Sequence, residues 1–269
     1  MKTIKDDRLS ILQNVYLFQK QYRFALTVLS GFALDEKPEL LDDGNLWDNV
    51  SAALGKKGVF DLNMPKPRGE VVVVGKCWAL SGKPASHKEA SFRVGKIKKR
   101  VIVFGNRSWE KSAGVFKTIS VPEPFEDVDI SWDNAFGGSK YKKNPDGKGS
   151  EEIQLPTGEE IRPLPNVEDP DNLIVSASDR PNPAGFSPLG LNWPNRLKKL
   201  GTFDKKWLKE DWPGYPDDYD FGYFNIAPED QRIKDFWSGD EKIEIENMHP
   251  DKPKIRSCFK RPDHHQLII

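Results

Sequence analysis

Two apolar runs near the start of the chain have the composition of β-strands. They are ILQNVYLF, residues 11–18, and FALTVLSGFAL, residues 24–34. Both are rich in strand-forming residues, and their apolar positions are too irregular for the single stripe of an amphipathic helix. We therefore expect a hairpin-like opening to the fold.

A helix is predicted after this hairpin, because apolar residues recur at helical spacing over residues 46–54. Asn45 precedes the pattern as an N-cap and Gly55 follows it as a stop signal. The next segment contains Pro65 and Pro67, which continue neither a helix nor a central strand. A loop is expected there.

The clearest series of strands covers residues 70–80, 90–97 and 100–104. Apolar and polar residues alternate in the second of these runs, and Gly95 and Lys96 mark a turn before the third. This series predicts an antiparallel meander.

The segment from residue 121 to residue 216 holds 13 of the chain's 21 prolines, and regular periodicity nearly disappears in it. Large aromatic residues are interleaved with these prolines, whereas disordered segments are poor in them. We therefore expect ordered loops, with short helices near residues 193–200 and 205–209. The later run EKIEIENM, residues 241–248, alternates like one more strand.

These elements predict an α+β, β-rich fold with antiparallel sheets, a few short helices and long ordered loops rich in proline and aromatic residues. At 269 residues the chain is near the upper limit for one hydrophobic core. We interpret residues 1–269 as a single domain with two possible sub-layers, a β-meander part at 1–120 and a loop-rich aromatic part at 121–269.

The charge balance gives no sign of a nucleic-acid or membrane partner. Lys plus Arg and Asp plus Glu both total 41, so no global field steers the protein toward a polyanion. The first apolar run is short and broken by Gln13 and Asn14, which fits neither a signal peptide nor a membrane span. The two cysteines, Cys77 and Cys258, are interpreted as reduced thiols of a cytoplasmic protein.

Candidate metal sites are weak. Asp127, Asp129 and Asp133 faintly resemble a calcium loop, but the sixth and twelfth positions of such a loop hold Trp132 and Gly138. The run NPDGKG, residues 144–149, has oxygen ligands and glycines, yet it is favoured as a tight turn. No metal and no cofactor is predicted.

Catalytic patterns are equally weak. The four histidines, His87, His249, His264 and His265, have no convincing partners, and serine-elbow and phosphate-binding glycine motifs are absent from the sequence. Acidic residues between Asp217 and Asp220 have the chemistry of a glycosidase pair, but sequence does not give their separation. The chain is therefore expected not to be an enzyme.

Many separate motifs resemble one family. They include MPKPRGEVVVVGKCWA, GNRSW, SWDNAFGG followed by NPDGKG, LPNVEDP, PAGFSPLGLNWPNR, GTFDKKWL, WPGYPDDYDFGYFNIAPEDQ and GDEKIEIENMHP. The chain is similar to an uncharacterised-domain family encoded beside PAAR-repeat spike-tip proteins, VgrG spike proteins and toxic effectors of bacterial type VI secretion. The resemblance runs from about Asp6 to about Pro250.

The resemblance implies a cytoplasmic adaptor or chaperone that binds a PAAR-bearing or toxin effector cargo and helps to load it on the VgrG spike. It implies protein partners and no enzymatic activity. Two rival hypotheses remain: a carbohydrate-active or carbohydrate-binding protein using the acidic and aromatic segment 212–224, and a structural component of the secretion apparatus.

Candidate contact residues are drawn from the aromatic segment, because Trp and Tyr combine a large rigid contact area with a polar group. They are Trp193, Arg196, Trp207, Trp212 and Tyr215. A second set is expected to support the loops by hydrogen bonds or close packing. It comprises Trp132, Asn134, Gly137, Gly138, Asp204, Asp220 and Gln231.

Overall fold

A computed structural model describes residues 9–36, 38–41, 46–55, 64–80, 82–112, 114–158 and 160–258. The predicted cap Asn45, the end of the chain and two of the histidines, His264 and His265, lie outside these residues.

The elements follow in chain order. They are β1 (Leu9–Phe18), β2 (Gln21–Ser30), α1 (Leu46–Gly55), β3 (Lys76–Trp78), β4 (His87–Val94), β5 (Ile97–Phe104), β6 (Ser108–Ser112), β7 (Val115–Ile119), β8 (Asp127–Asp129), β9 (Phe136–Gly137), β10 (Lys148–Gly149), β11 (Ile153–Gln154), β12 (Glu160–Pro163), β13 (Val167–Glu168), α2 (Pro194–Leu197), α3 (Lys205–Glu210), β14 (Lys242–Glu246) and β15 (Lys254–Cys258). Short 3₁₀ turns occur at Trp132–Asn134, Phe221–Phe224 and Glu229–Gln231. The α+β, β-rich fold class predicted from the sequence is confirmed.

The chain divides into two compact units. The first comprises residues 1–33, 39–74 and 186–234, and the second comprises residues 34–38, 75–185 and 235–269. The first unit combines segments from both sides of residue 120, and the single domain with two sub-layers stays a prediction. Composition changes at residue 121, but the chain returns to the first unit only at Phe186.

The first unit opens with a two-stranded antiparallel hairpin. Strands β1 and β2 pair over ten residues each, from Leu9 opposite Ser30 to Phe18 opposite Gln21. The two turn residues, Gln19 and Lys20, both have positive φ, as a two-residue turn that follows the right-handed twist of the strands requires. This confirms the predicted opening hairpin, although its turn lacks the usual glycine.

Aromatic side chains form the interior of the first unit. Met64, Tyr219, Tyr223 and Phe224 are buried together, and Tyr16, Phe18, Leu191, Leu200, Tyr215 and Phe221 pack against them. The segment 212–224 that looked acidic and aromatic in sequence thus supplies most of this core. Helix α2 lies within the predicted stretch 193–200, and α3 matches the predicted stretch 205–209 but ends one residue later.

The second unit contains the larger sheets. Five strands are ordered β13-β5-β4-β14-β15 and four are ordered β11-β12-β6-β7, with every neighbouring pair antiparallel. The turn between β4 and β5 is at Gly95 and Lys96, as predicted, and Gly95 has a φ of 55°. The predicted strand at residues 241–248 is β14, paired with β4.

The predicted strand at residues 70–80 is wrong in length and in partner. Only Lys76–Trp78 is a strand, and it pairs with Asp127–Asp129 and not with the meander. The run VVVVG, residues 71–75, is half-buried apart from the exposed Val74, and its backbone is bonded by loops rather than by a ladder. Here the Val71 N–H donates to the Gln231 carbonyl at 2.9 Å.

Two motifs that are separate in sequence meet in the second unit. Strands β9 and β10 form a short parallel pair, and the Asn144 side chain, which is fully buried, donates to the carbonyls of Trp132 and Phe136 at 2.8 and 3.1 Å. A Cβ at Gly137 would lie 2.2 Å from the Asn144 carbonyl oxygen. Glycine is therefore required there by close backbone approach.

We expect Gly137→Ala to destabilise the protein by about 2–4 kcal/mol, since the added methyl group meets backbone and not a mobile side chain. Chemical denaturation measures the free energy of unfolding. As a control, Gly239 has a φ of 85° with no atom within 4 Å of an added Cβ, and Asn tolerates that conformation. Equal stability losses for Gly137→Ala and Gly239→Asn would contradict the close-approach explanation.

Candidate aromatic groove

One face of the β1–β2 hairpin is apolar and uncovered. We call it the outer face, and it consists of the cross-strand neighbours Ile11 and Val28, Gln13 and Leu26, Val15 and Phe24, and Leu17 and Tyr22. Seven of these eight side chains are apolar or aromatic. All but the half-buried Leu17 are exposed, and Tyr22 is 80% exposed.

The opposite face of the hairpin packs on the core of the first unit. The Tyr16 and Phe18 rings lie 5.3 and 5.0 Å from the Phe221 ring, centre to centre. The Asn14 amide donates to the Met64 sulfur at 2.7 Å. This face anchors the hairpin, so the outer face is held in place by a core to which it does not itself contribute.

Three aromatic side chains, Phe203, Trp207 and Trp212, lie beside the hairpin, and we call them the wall. The ring centres of Phe203 and Trp207 are 4.8 Å apart and those of Trp207 and Trp212 are 5.7 Å apart, both pairs edge to face. With Val15, Leu17 and other hairpin residues, this wall lines a groove of about 510 Å³. We call it the aromatic groove.

Backbone contacts fix the wall to the hairpin. The Tyr215 N–H donates to the Leu17 carbonyl at 2.9 Å, and a Cβ at Gly214 would lie only 2.8 Å from the same oxygen. The Trp207 indole N–H donates to the Gly214 carbonyl at 2.9 Å. Residues 214–215 thus form hydrogen bonds both with the edge of β1 and with Trp207, the central ring of the wall.

Three of the five predicted contact residues come together in this groove. Trp212 is 64% exposed, while Trp207 and Tyr215 are half-buried and line the same depression. Trp207 lies in the first turn of α3. Its backbone N–H donates to the carboxylate of Asp204, the N-cap of this helix, at 2.9 Å. The contact residues predicted from the sequence therefore identify one side of the aromatic groove.

The other two predicted contact residues, Trp193 and Arg196, are not on the surface, which corrects their assignment. They are 4% and 2% exposed. The Arg196 guanidinium donates to the carbonyls of Tyr223 and Leu189 at 3.0 and 2.8 Å and lies over the Tyr223 ring. An arginine beside a tryptophan suggested an interface, but its guanidinium donates from Nε and Nη1 to loop carbonyls inside the unit.

Two further polar groups, one buried and one exposed, support the loops of the first unit. Gln231, fully buried, donates from its amide to the carbonyls of Val71 and Phe186 at 2.8 and 2.9 Å. Asp220 accepts from the Gly222 N–H at 2.7 Å and forms an ion pair with Lys199.

Glu70 links two segments of this interior. Its carboxylate accepts from the Lys66 ammonium at 2.6 Å and from the Ala227 N–H at 2.9 Å, and its side chain is 7% exposed. Burial, the largest influence, raises the pKa of Glu70. The attraction of Lys66 and the hydrogen bonds from Lys66, Ala227 and Asn225 outweigh it, so the net pKa is lowered.

The remaining predicted supporting residues belong to the second unit. Trp132 is buried, and the Asn134 amide donates to the Asp129 carbonyl at 2.9 Å while its oxygen accepts from Lys148. Gly137 and Gly138 are both buried at the meeting of β9 and β10. These residues lie in a different unit from the aromatic groove.

Sequence reasoning missed Phe203 and the whole hairpin side of the groove. Apolar residues occupy both faces of β1 and β2, so no polar face marks which side is covered. The alternation of half-buried and exposed positions from Ser10 to Tyr16 exists only in the folded unit.

The candidate metal ligands are the histidines, cysteines and acidic residues. Within the described residues, no three His, Cys, Asp or Glu side chains are placed to hold a metal ion. Asp127 instead pairs with Lys76 at 2.7 Å, and His249 accepts from the Asp251 and Lys252 N–H groups. Cys77 and Cys258 are free thiols, and burial raises the pKa of Cys77 to about 12.

The acids of the segment 212–224 are engaged with loop groups. Asp218 accepts from the Thr202 N–H and hydroxyl at 2.9 and 2.7 Å, and these bonds lower its pKa. The pKa of Asp220 is also lowered, because the bonds from Lys199 and Gly222 outweigh the effect of burial. A glycosidase general acid needs a raised pKa, so neither carboxylate has that character.

Comparisons with known proteins give one match. A family model described as "Uncharacterized protein conserved in bacteria (DUF2169)" matches residues 19–262. Neither the curated proteins nor the solved structures contain a match to the chain. Over the residues that the structure describes, no helix has the length and apolar character needed to cross a bilayer.

The buried carboxylate of Glu70 predicts a defined pH dependence. Because its folded pKa is lowered, its stabilising effect is present above the unfolded value of 4.5 and is lost as pH falls through the folded pKa. We expect Glu70→Gln to lose about 1–3 kcal/mol at pH 7 relative to wild type. This difference should shrink steadily below pH 4.5 in urea denaturation measured over a pH series.

Glu210→Gln, at an exposed position at the end of α3, is the matched control and should show little loss at either pH. A stability difference for Glu70→Gln that stays constant into acid would show that the carboxylate charge is not the stabilising feature.

Proposed function

This chain belongs to the DUF2169 family of conserved bacterial proteins, and we propose that it is a non-enzymatic adaptor of type VI secretion. In this proposal it works in the cytoplasm, binds a PAAR-bearing protein or a toxin effector, and helps to load that cargo on the VgrG spike. The aromatic groove is the surface that holds the cargo.

The observation that supports a protein-binding role is the wall of Phe203, Trp207 and Trp212 beside the uncovered hairpin. Exposed tryptophans set in a concave apolar surface have the character of interface anchors, since they bury a large area with little loss of conformational freedom. Phe203 and Trp212 are 52% and 64% exposed, so both have much area left for a partner to cover.

The groove is also pre-formed. Trp207 is fixed by its indole hydrogen bond and Tyr215 by its backbone bond to Leu17. Pro213 restricts the chain between Trp212 and Gly214, which lowers the entropy that this loop loses on binding. With a net charge of zero, recognition has to come from such local shape and apolar contact.

The type VI secretion context is supported by the motifs in the sequence, from MPKPRGEVVVVGKCWA to GDEKIEIENMHP. They resemble the family encoded beside PAAR, VgrG and effector proteins. A structural component that leaves the cell with the spike is the alternative within this context, and its presence in the secreted fraction distinguishes it from an adaptor that stays behind.

The test uses the purified full chain and the PAAR-domain protein or toxin encoded beside it. We expect Trp212→Ala to weaken cargo binding about 30-fold, equal to about 2 kcal/mol, with the melting temperature nearly unchanged because Trp212 is largely exposed. Isothermal titration calorimetry and thermal unfolding provide the two measurements.

Leu208→Ala is the matched control, because Leu208 is 60% exposed on α3 but does not line the groove. Trp207→Phe should weaken binding and also lower stability, since it removes the hydrogen bond to Gly214. Wild-type cargo affinity in Trp212→Ala, or no affinity of the parent for either cargo, would refute the proposal. Binding of an oligosaccharide at the groove would favour the carbohydrate alternative.

A further inference from the structure

Much of the hairpin's outer face lies beyond the aromatic groove. Among its residues, Ile11, Phe24, Leu26 and Val28 do not line the groove, and they are 49%, 62%, 52% and 52% exposed. They occupy three consecutive cross-strand pairs of this face in a regular antiparallel ladder. A cargo bound against the wall therefore does not account for the exposure of these four side chains.

The area of the outer face is large for a monomer. From the exposed fractions of its side chains, it presents roughly 700 Å² of apolar surface, whereas the largest patch of a typical monomer is about 300–600 Å². A standard protein interface takes about 800 Å² from each partner. The outer face, with Val15, Leu17 and Tyr22 of the groove margin included, thus approaches the area that a stable dimer needs.

The face is also suited to meet a copy of itself. In a two-fold dimer the same patch contributes both sides of the contact, so any charge on it faces a like charge. None of its eight positions carries a charge, and Gln13 is its one aliphatic polar side chain. The charged hairpin residue Arg23 pairs with Tyr16, which is on the opposite face. Two outer faces can therefore approach without burying a charge.

We propose that a second copy of this chain packs its outer face against this one, so that two hairpins stack as the layers of a small β-sandwich about a two-fold axis. Stacked sheets lie about 10 Å apart with their side chains interdigitated, as a flat row of branched and aromatic residues allows. An isolated two-stranded hairpin is marginally stable in water, and this hairpin packs on the core of its own unit through one face only. The second copy covers the other face.

This inference does not depend on the identity of the cargo. Val15, Leu17 and Tyr22 belong both to the outer face and to the aromatic groove, so the second copy lies next to each groove.

Sedimentation equilibrium of the full chain from about 1 µM to about 100 µM tests the proposal by mass action. We expect wild type to approach twice its mass of 30.6 kDa. The double variant Phe24→Thr with Leu26→Thr keeps strand-forming residues but removes apolar area, and its dimer dissociation constant should rise at least about 30-fold. Leu26→Lys, which brings like charges together across the axis, should be monomeric.

Val175→Thr is the control, because Val175 is 79% exposed but belongs to the second unit, and it should dimerise as wild type does. Circular dichroism and thermal unfolding should show that all variants stay folded, since the altered side chains are exposed.

Trp212→Ala should leave the dimer mass unchanged, which separates this proposal from the one on cargo. A monomeric wild type across the whole range, dimerisation that survives both hairpin variants, or growth beyond two copies would each overturn the inference. Loss of cargo binding in the hairpin variants of a monomeric protein would assign the face to cargo instead.

Discussion

Irregular loops can be buried only if their backbone N–H and C=O groups find partners, and this constraint decides how the first unit is built. Residues 186–234 contain two short helices and no strand, so ladders do not supply the partners. Side chains do. Arg196 reaches two loop carbonyls and Gln231 reaches two more. Each of these side chains supplies, from one position, hydrogen bonds to two loop carbonyls that no neighbouring strand provides.

The same arrangement explains why large aromatic residues occur both inside and outside. Because buried polar side chains bond the loops from within, Tyr219, Tyr223 and Phe224 can fill the space around them as a core. The loop from Phe203 to Trp212 lies at the margin of this interior, bonded through Asp204 and Gly214. Its rings are thus held firmly without being covered.

The sequence predicted those parts of the fold that depend on local patterns. The first hairpin, the β4–β5 hairpin with its turn at Gly95, strand β14 and the short helices all follow from alternation, spacing and turn residues. It did not predict residues 70–80, because a run of valines is equally compatible with a strand and with a half-buried loop. The hydrogen bonds of this loop come from residues 160 positions away, as Val71 and Gln231 show.

The candidate site was predicted on one side only, for a related reason. Trp207, Trp212 and Tyr215 stand out by residue type, whereas Val15, Leu17 and Tyr22 resemble any strand residues. Burial of Trp193 and Arg196 was equally hidden, since nothing in NWPNR distinguishes an arginine that serves internal carbonyls from one that serves a partner. Which side of a loop faces outward is a property of the assembled unit.

The two faces of the first hairpin differ in what they do for the fold. One face, with Tyr16 and Phe18, packs on the aromatic core, and the backbone of Leu17 is held by Tyr215 and approached closely by Gly214. The outer face contributes little to that interior, so polar residues at Phe24 or Leu26 would leave the core of the unit intact. A long hairpin with exposed apolar side chains is an aggregation hazard that proteins ordinarily suppress with charge. Its uncharged outer face is therefore best understood as a surface whose burial comes from association rather than from folding.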